Sequence, residues 1–161
     1  MVVEYLYIQT KNLILMNKAL ACFIENHLGV NMFINNLNEE QKYAVVTLMH
    51  RVAQADGRID IAETQMLNEI VAGLGIKEVD SETSTSELVS RFDTQKTKVS
   101  AILELLAMAH ADGEFVATEH HYIREIAGEM DISDLELAIY NSWVIRQVGL
   151  LHEAEGFWGG E

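Results

Sequence analysis

The stretch AQADGRID, residues 53–60, returns as AHADGEFV, residues 109–116, at an offset of 56 residues. At that offset the two copies align without a gap from residue 53 to residue 76. The identical positions are Ala53, Ala55, Asp56, Gly57, Glu63, Glu69, Ile70 and Ile76 in the first copy, and Ala109, Ala111, Asp112, Gly113, Glu119, Glu125, Ile126 and Ile132 in the second. An internal repeat predicts two copies of one structural unit, so this repeat decides the fold.

In both copies the Ala-Asp-Gly triplet separates two segments whose apolar residues recur with helical spacing. In the first copy these residues are Val45, Leu48, Met49, Val52 and Ala53, then Ile59, Met66, Leu67, Ile70, Val71 and Leu74. In the second copy they are Ile102, Leu105, Leu106 and Ala109, then Tyr122, Ile123, Ile126, Ala127 and Met130. Gly57 and Gly113 stand where the chain reverses and glycine adopts positive φ easily, and Gly75 is predicted to cap a helix C-terminus. Each copy is therefore predicted to be a helical hairpin.

Capping signals set the predicted helix boundaries. Asn38, followed three residues later by Gln41, is a capping box that begins the first repeat. Ser133 and Glu136 form another box, which begins a last helix through about residue 147. Asp93 is predicted to open the long helix that ends near residue 111.

We expect one all-α domain over residues 1–161, a compact bundle of about seven helices that contains the two hairpins with their Asp-Gly turns. The absence of proline and the abundance of Ala, Leu, Ile and Met favour helices throughout. The predicted divisions are an N-terminal helical extension over 1–37, the first repeat over 38–76, a polar linker over 77–92 with a short helix at 86–92, the second repeat over 93–132, and a C-terminal helix and tail over 133–161.

The charge of the chain limits its partners. The formal net charge is -14, which argues against nucleic acid and against an anionic membrane surface, because both need Lys and Arg to neutralise phosphates. An acidic chain suits cations or basic partners. No apolar run approaches the roughly 20 residues of a membrane span, so no transmembrane segment is expected. Cys22 is the single cysteine, which excludes an internal disulfide and favours a reducing, cytoplasmic location.

The repeated acids are harder to explain than the glycines. Asp56 and Glu63 are spaced so that they point with the apolar face of their helices, and Asp112 and Glu119 repeat both placements. Burying a carboxylate is costly unless something pairs with it.

Two interpretations of these acids are open. Backbone N–H groups satisfy the acids as turn and capping residues, with Asp60 and Glu63 as a capping box. Alternatively, a divalent cation binds to the oxygens of Asp56, Asp60, Glu63, Asp112 and Glu119.

The spacing of Asp56, Gly57 and Glu63 matches positions five, six and twelve of an EF-hand loop. Positions one and three would be Val52 and Gln54, which supply no carboxylate, so neither copy is a working EF-hand. Each copy offers about three or four oxygens, whereas calcium takes about six to eight. A complete shell therefore needs both copies, or water.

Other chemistry has weaker support. His110, His120 and His121 crowd the second triplet and would suit zinc, but their spacing is not that of a zinc motif, and solvated surface histidines are the competing interpretation. There is no Gly-rich phosphate loop, and Cys22 has no base beside it, so the chain is predicted not to be an enzyme. A metal-dependent hydrolase is the third hypothesis, and it requires a pocket beside the acids.

The segments VTLMHRVAQADGRIDIAETQMLNEI (46–70) and LELLAMAHADGEFVATEHHYIREI (103–126) resemble the two halves of the tellurite-resistance protein TerB family. The resemblance spans roughly residues 38–147 and leaves the first 37 residues aside. It implies an all-helical, bacterial, cytoplasmic domain tied to tellurite resistance and stress responses. It also implies a metal-binding module that works beside other tellurite-resistance proteins near the inner membrane.

The family pattern, carried over by position, implies a divalent cation such as calcium, magnesium or zinc at Asp56, Glu63, Asp112 and Glu119. Val116 departs from the pattern, because the first copy has Asp60 at the equivalent position. The first copy is therefore expected to carry more of a bound metal, unless His110 substitutes. An acidic protein-interaction scaffold, in which the repeated acids are structural caps, is the alternative; it predicts an exposed apolar patch ringed by acids.

Overall fold

The computed structural model describes residues 32–157 except 56, 58–60, 77–78, 80–81 and 111–116. A 3-10 turn over Ile34–Asn36 precedes the α-helices, which are α1 (Glu39–Ala53), α2 (Ile61–Gly73), α3 (Thr85–Val89), α4 (Gln95–Ala109), α5 (Ala117–Glu129) and α6 (Asp134–Gly156). All regular structure in this described part is helical, which confirms the all-α prediction. A helical extension is predicted over residues 1–37, and residues 1–31 of it lie outside the described part of the chain.

The two repeats meet through their first helices. Helix α1 packs against α4, and these helices occupy equivalent places in the two copies. Helix α2 packs on α1, and α5 packs on α4, so each copy pairs its own two helices. Helix α3 contacts α1 and α5, while α6 contacts α4 and α5.

The core is formed by the residues that the repeat pattern predicts. Val45, Leu48, Met49, Val52 and Ala53 of α1 are buried completely. Ile102, Leu105, Leu106 and Ala109 of α4 are buried with them, as are Ile123, Ile126, Ala127 and Met130 in and after α5. Burial on this scale is the main favourable term in folding, so α1 and α4 hold the bundle together.

Two predicted capping boxes are confirmed, and one helix start is corrected. Asn38 caps α1: its side chain accepts from the Gln41 N–H at 2.9 Å, and its own N–H donates to Gln41 Oε1 at 3.1 Å. Helix α4 does not begin at Asp93. Thr94 is its N-cap and accepts from the Thr97 N–H at 3.1 Å, while Asp93 Oδ1 instead accepts from the Gln41 side chain at 3.3 Å.

The last helix begins as predicted and ends later. Ser133 Oγ accepts from the Glu136 N–H at 3.3 Å, and the Ser133 N–H donates to Glu136 Oε2 at 2.9 Å. Helix α6 continues to Gly156 rather than ending near residue 147. Val148 still packs against the core, which explains why the chain stays helical beyond that point. Part of the predicted tail is therefore helix.

The predicted cap at Gly75 is also confirmed. Its φ is +67°, and the N–H of Ile76 donates to the carbonyl of Val71 at 3.0 Å, which closes the end of α2. Within the described residues, no helix has both the length and the hydropathy needed to cross a membrane.

Candidate functional site at the Ala-Asp-Gly segments

Residues in the first repeated segment and residues that follow the second one line the same groove. Its volume is about 500 Å³, and it is open to solvent. One side is the end of α1, where Gln54 and Ala55 immediately precede Asp56. The other side is the start of α5, where Ala117 and Thr118 follow the second segment. Ala55 and Ala117 therefore lie at the same end of the bundle.

An arginine and a tyrosine tie the groove together. Arg51 Nη1 donates to Thr85 Oγ1 at 3.1 Å, and its Nη2 donates to the carbonyl of Thr83. Thr85 Oγ1 is also 2.8 Å from the hydroxyl of Tyr122 on α5. This network links the end of α1 to α5 through Thr85 on α3. No local sequence pattern predicts this network, because its hydrogen-bonded partners lie 32 to 37 residues apart along the chain.

The glutamates of the two copies stand in equivalent places. Glu63 and Glu119 are each the third residue of the helix that follows a triplet. A carboxylate in the first turn is stabilised by the N–H groups and the positive end of the helix dipole. Glu119 is buried, with 4% of its surface exposed, as the apolar-face spacing predicts. The side chain of Glu63 lies outside the described part of the structure.

The other predicted ligands, Asp56, Asp60 and Asp112, lie outside the described residues. Gly57 is described and has φ +77°, as predicted for a chain reversal. Gly113 is not among the described residues. In the part of the chain that the structure describes, no group of three or more His, Cys, Asp or Glu side chains is arranged to hold a metal ion.

The three histidines near the second triplet have different surroundings. His110 Nε2 is 2.7 Å from Asn141 Oδ1, which links the end of α4 to α6. His121 is exposed, lines the groove and lies 3.4 Å from Glu125 Oε1 one turn along α5. His120 is half-buried. As expected for adjacent helix residues, His120 and His121 differ in their surroundings, and the arrangement does not favour a histidine-based zinc site.

The family model for tellurite resistance protein TerB matches the chain twice, over residues 8–84 and 77–140. Each match contains one copy of the repeat. The first match also begins well before residue 38, so it includes most of the N-terminal extension that the motifs alone left aside. Comparison with curated proteins and comparison with solved structures each give no match. With two matches that together span most of its length, the chain belongs to the tellurite resistance protein TerB family.

Proposed function

We propose that this TerB-family chain is a non-enzymatic, cytoplasmic module that binds a divalent cation through Asp56, Asp60, Glu63, Asp112 and Glu119. Its role would be in tellurite resistance and related stress responses, beside other proteins of that system. The full bundle would then have about seven helices, with the N-terminal extension supplying the one that precedes α1.

The shared groove is the observation that carries this proposal. One Ala-Asp-Gly segment cannot fill the six to eight oxygen positions that calcium takes, so the remaining ligands come from the other segment or from water. The groove supports a joint site because Ala55 and Ala117, which border the two segments, line it together. The burial of Glu119 adds support, since a carboxylate in that position gains from a nearby cation.

The donor set favours calcium or magnesium over zinc. All five proposed ligands are carboxylates, which are hard oxygen donors, and the single cysteine, Cys22, leaves no thiolate pair. His110 is engaged with Asn141 on α6, which argues against its replacing the oxygen missing at Val116. The first copy, with Asp60, would therefore provide more ligands than the second.

Thermal unfolding of chelator-treated protein tests the proposal. Calcium, magnesium, manganese and zinc are added separately, and a specific cation at about 100 times its dissociation constant should stabilise the fold by about 2.7 kcal/mol. The double variant Asp56→Asn with Asp112→Asn should abolish that increase. The matched control is Glu87→Gln with Glu129→Gln, which removes the same charge from exposed positions and should leave the increase intact.

The same experiment separates the cation site from structural capping. If no cation raises the midpoint, while the Asp56→Asn and Asp112→Asn variant melts lower than the control, the acids are caps and the cation proposal is wrong. Calorimetric titration with the cation that stabilises most then gives the stoichiometry. One cation per chain supports a joint site, and two would contradict it.

The scaffold alternative has partial support. Five large apolar side chains are exposed on or directly after α6, namely Leu135, Ile139, Ile145, Leu150 and Phe157. Helix α6 carries more acids than bases, namely Asp134, Glu136, Glu153 and Glu155 against Arg146. Arg146 and Glu153 are both exposed among these apolar residues, so the surface carries charges of both signs and is not bordered by acids alone.

A further inference from the structure

Helix α6 is apolar on two opposite sides. Leu137 and Val144 face the core and are 3% and 2% exposed. With about 100° of rotation per residue, Ile139, Leu150 and Phe157 lie within about 20° of one another and roughly opposite that buried side. Their exposed fractions are 57%, 56% and 83%. We call these three residues the apolar ridge. Phe157 follows the helix directly, and its N–H donates to the carbonyl of Ala154 at 3.0 Å.

A strip of small residues runs beside the ridge. Ser142, Gly149 and Gly156 recur every seven residues and are all exposed. A Cβ added to Gly149 would meet no atom within 4 Å, so no packing within the described structure requires glycine there. Glycine weakens the interior of a helix, but it lets another backbone approach closely. The strip therefore suits contact with a second helix.

Two opposite charges lie between the ridge and the strip. Arg146 and Glu153 are seven residues apart on the same side of the helix, about 10 Å along its axis, which is too far for a direct pair within one chain. Arg146 Nη1 donates to Ser142 Oγ at 2.9 Å, and Glu153 is exposed. The midpoint between the two charges falls at Gly149 and Leu150.

We propose that α6 binds α6 of a second copy of this chain in an antiparallel pair, with a twofold axis near Gly149 and Leu150. In that arrangement Arg146 lies opposite Glu153 of the second copy, and the reverse pair forms by symmetry. Leu150 meets its own counterpart across the axis, and Phe157 lies opposite the small residue Ser142 of the second copy. The small-residue strip lets the two backbones come close.

Self-complementarity is the reason to choose a second copy over a different protein. A twofold interface uses the same patch on both subunits, so the patch has to match itself. The α6 surface does so, because its ridge spans the midpoint and its two charges stand symmetrically about that midpoint with opposite signs. The net charge of -14 opposes association at low ionic strength, and salt screens this repulsion. Dimerisation should therefore strengthen with salt, whereas binding of a basic protein would weaken.

Sedimentation equilibrium of the full chain tests the proposal, from micromolar to millimolar concentration, at low and high salt. Chelator is present throughout, so the result does not depend on cation binding. We expect a monomer–dimer equilibrium that shifts to dimer with concentration and with salt. Leu150→Glu, which charges the ridge, and Gly149→Leu, which fills the strip, should each weaken dimerisation at least about tenfold.

Exchanging the charges of Arg146 and Glu153 tests the antiparallel pairing more specifically. Arg146→Glu alone and Glu153→Arg alone should each weaken the dimer, and the two changes together should restore it, since both cross-subunit pairs re-form with reversed sign. Lys96→Glu and Glu87→Arg are the matched controls, because they make the same changes in net charge at exposed positions away from α6. Circular dichroism checks that each variant keeps its helices.

Three outcomes would overturn the proposal. The first is a monomer at every concentration and salt level. The second is a dimer that persists unchanged in Leu150→Glu and Gly149→Leu, which would locate the interface elsewhere. The third is an Arg146→Glu, Glu153→Arg double variant that dimerises less than either single variant, which would exclude the antiparallel pairing.

Discussion

Gly75 and Asp131 occupy the same position in the two repeats and adopt the same left-handed backbone conformation. Their φ angles are +67° and +61°, and Asp131 is the one non-glycine residue with positive φ among the described residues. The following residue donates back to the helix in each copy, Ile76 to the carbonyl of Val71 at 3.0 Å and Ile132 to the carbonyl of Ala127 at 2.9 Å. Both hairpins therefore end in the same C-terminal capping motif, one with glycine and one with aspartate.

This equivalence predicts opposite effects of substitution at the two positions. Asp131→Gly should raise the free energy of unfolding by about 0.5–1 kcal/mol, because a side chain in the left-handed region carries a steric cost. Gly75→Ala should lower it by about 1 kcal/mol for the same reason. Urea denaturation measures both. A destabilised Asp131→Gly would mean that the exposed Lys98–Asp131 ion pair, at 3.3 Å, outweighs the backbone cost.

The N-termini of the repeats are equivalent in the same way. Asn38 caps α1 and Thr94 caps α4, and each forms a capping box with the residue three positions later. Replacing either by alanine should cost about 1 kcal/mol in unfolding free energy, because an N–H group of the first turn loses its acceptor. Asp93→Ala is the matched control, and urea denaturation should show a smaller loss for it. An equal loss would mean that the hydrogen bond from the Gln41 side chain to Asp93 Oδ1 contributes as much to stability as the caps do.

The repeat was predictable from sequence only where it preserves residue identity. Identical residues cluster between 53 and 76, with the isolated pair Lys42 and Lys98 before them, whereas the structural equivalence extends back to Asn38 and Thr94. A cap needs a short side-chain oxygen or a positive φ, which several residue types supply, so the pairs Asn/Thr and Gly/Asp share geometry without sharing identity. The same reasoning explains why the predicted N-cap of α4 is wrong by one residue, because Asp and Thr are both favourable N-cap residues and Asp93 directly precedes Thr94.

The site was less predictable than the fold. The burial of Glu119 follows from its spacing to the apolar face, which is a local property of one helix. The hydrogen-bond network depends on how α1, α3 and α5 pack against one another, because it joins Arg51, Thr85 and Tyr122. No local sequence pattern predicts that packing. The exposed ridge on α6 was likewise missed, because apolar residues on both sides of a helix give no clear periodicity that separates a core face from a surface face.

An ion pair between α5 and α6 should make the stability of the fold depend on pH. Arg124 Nε and Nη2 donate to the two carboxylate oxygens of Asp134 at 2.7 and 2.5 Å, which lowers the pKa of Asp134 from its ordinary value near 3.8. A hydrogen bond from Ser133 lowers the pKa of Glu136 in the same turn.

A carboxylate with a lowered folded-state pKa binds fewer protons in the native chain than in the unfolded one. Its contribution is thus complete above the unfolded pKa and lost as the pH falls through the folded pKa. Asp134→Asn should therefore lower the thermal midpoint slightly at neutral pH and have no effect in strong acid, where the native carboxylate is protonated. The pair is exposed, so the difference should be small, and salt should reduce it further. A difference that grows as the pH falls below 4 would contradict this assignment.

Glu104 and Leu48 are the sharpest divergence between the two repeats. They occupy equivalent positions on α4 and α1, and both are buried, but Glu104 Oε1 accepts from the N–H of Phe33 at 2.6 Å. The carboxylate thus fastens the segment before α1 to the centre of the bundle. Glu104→Leu would give the second repeat the side chain that the first repeat has at this position. The Phe33 N–H would then lose its acceptor, and the free energy of unfolding should fall by about 1–3 kcal/mol. Glu104→Gln keeps an acceptor oxygen of the same shape and should cost clearly less. Urea denaturation of the two variants decides the point. Equal losses would show that the negative charge of Glu104, rather than its hydrogen bond to Phe33, supports the fold.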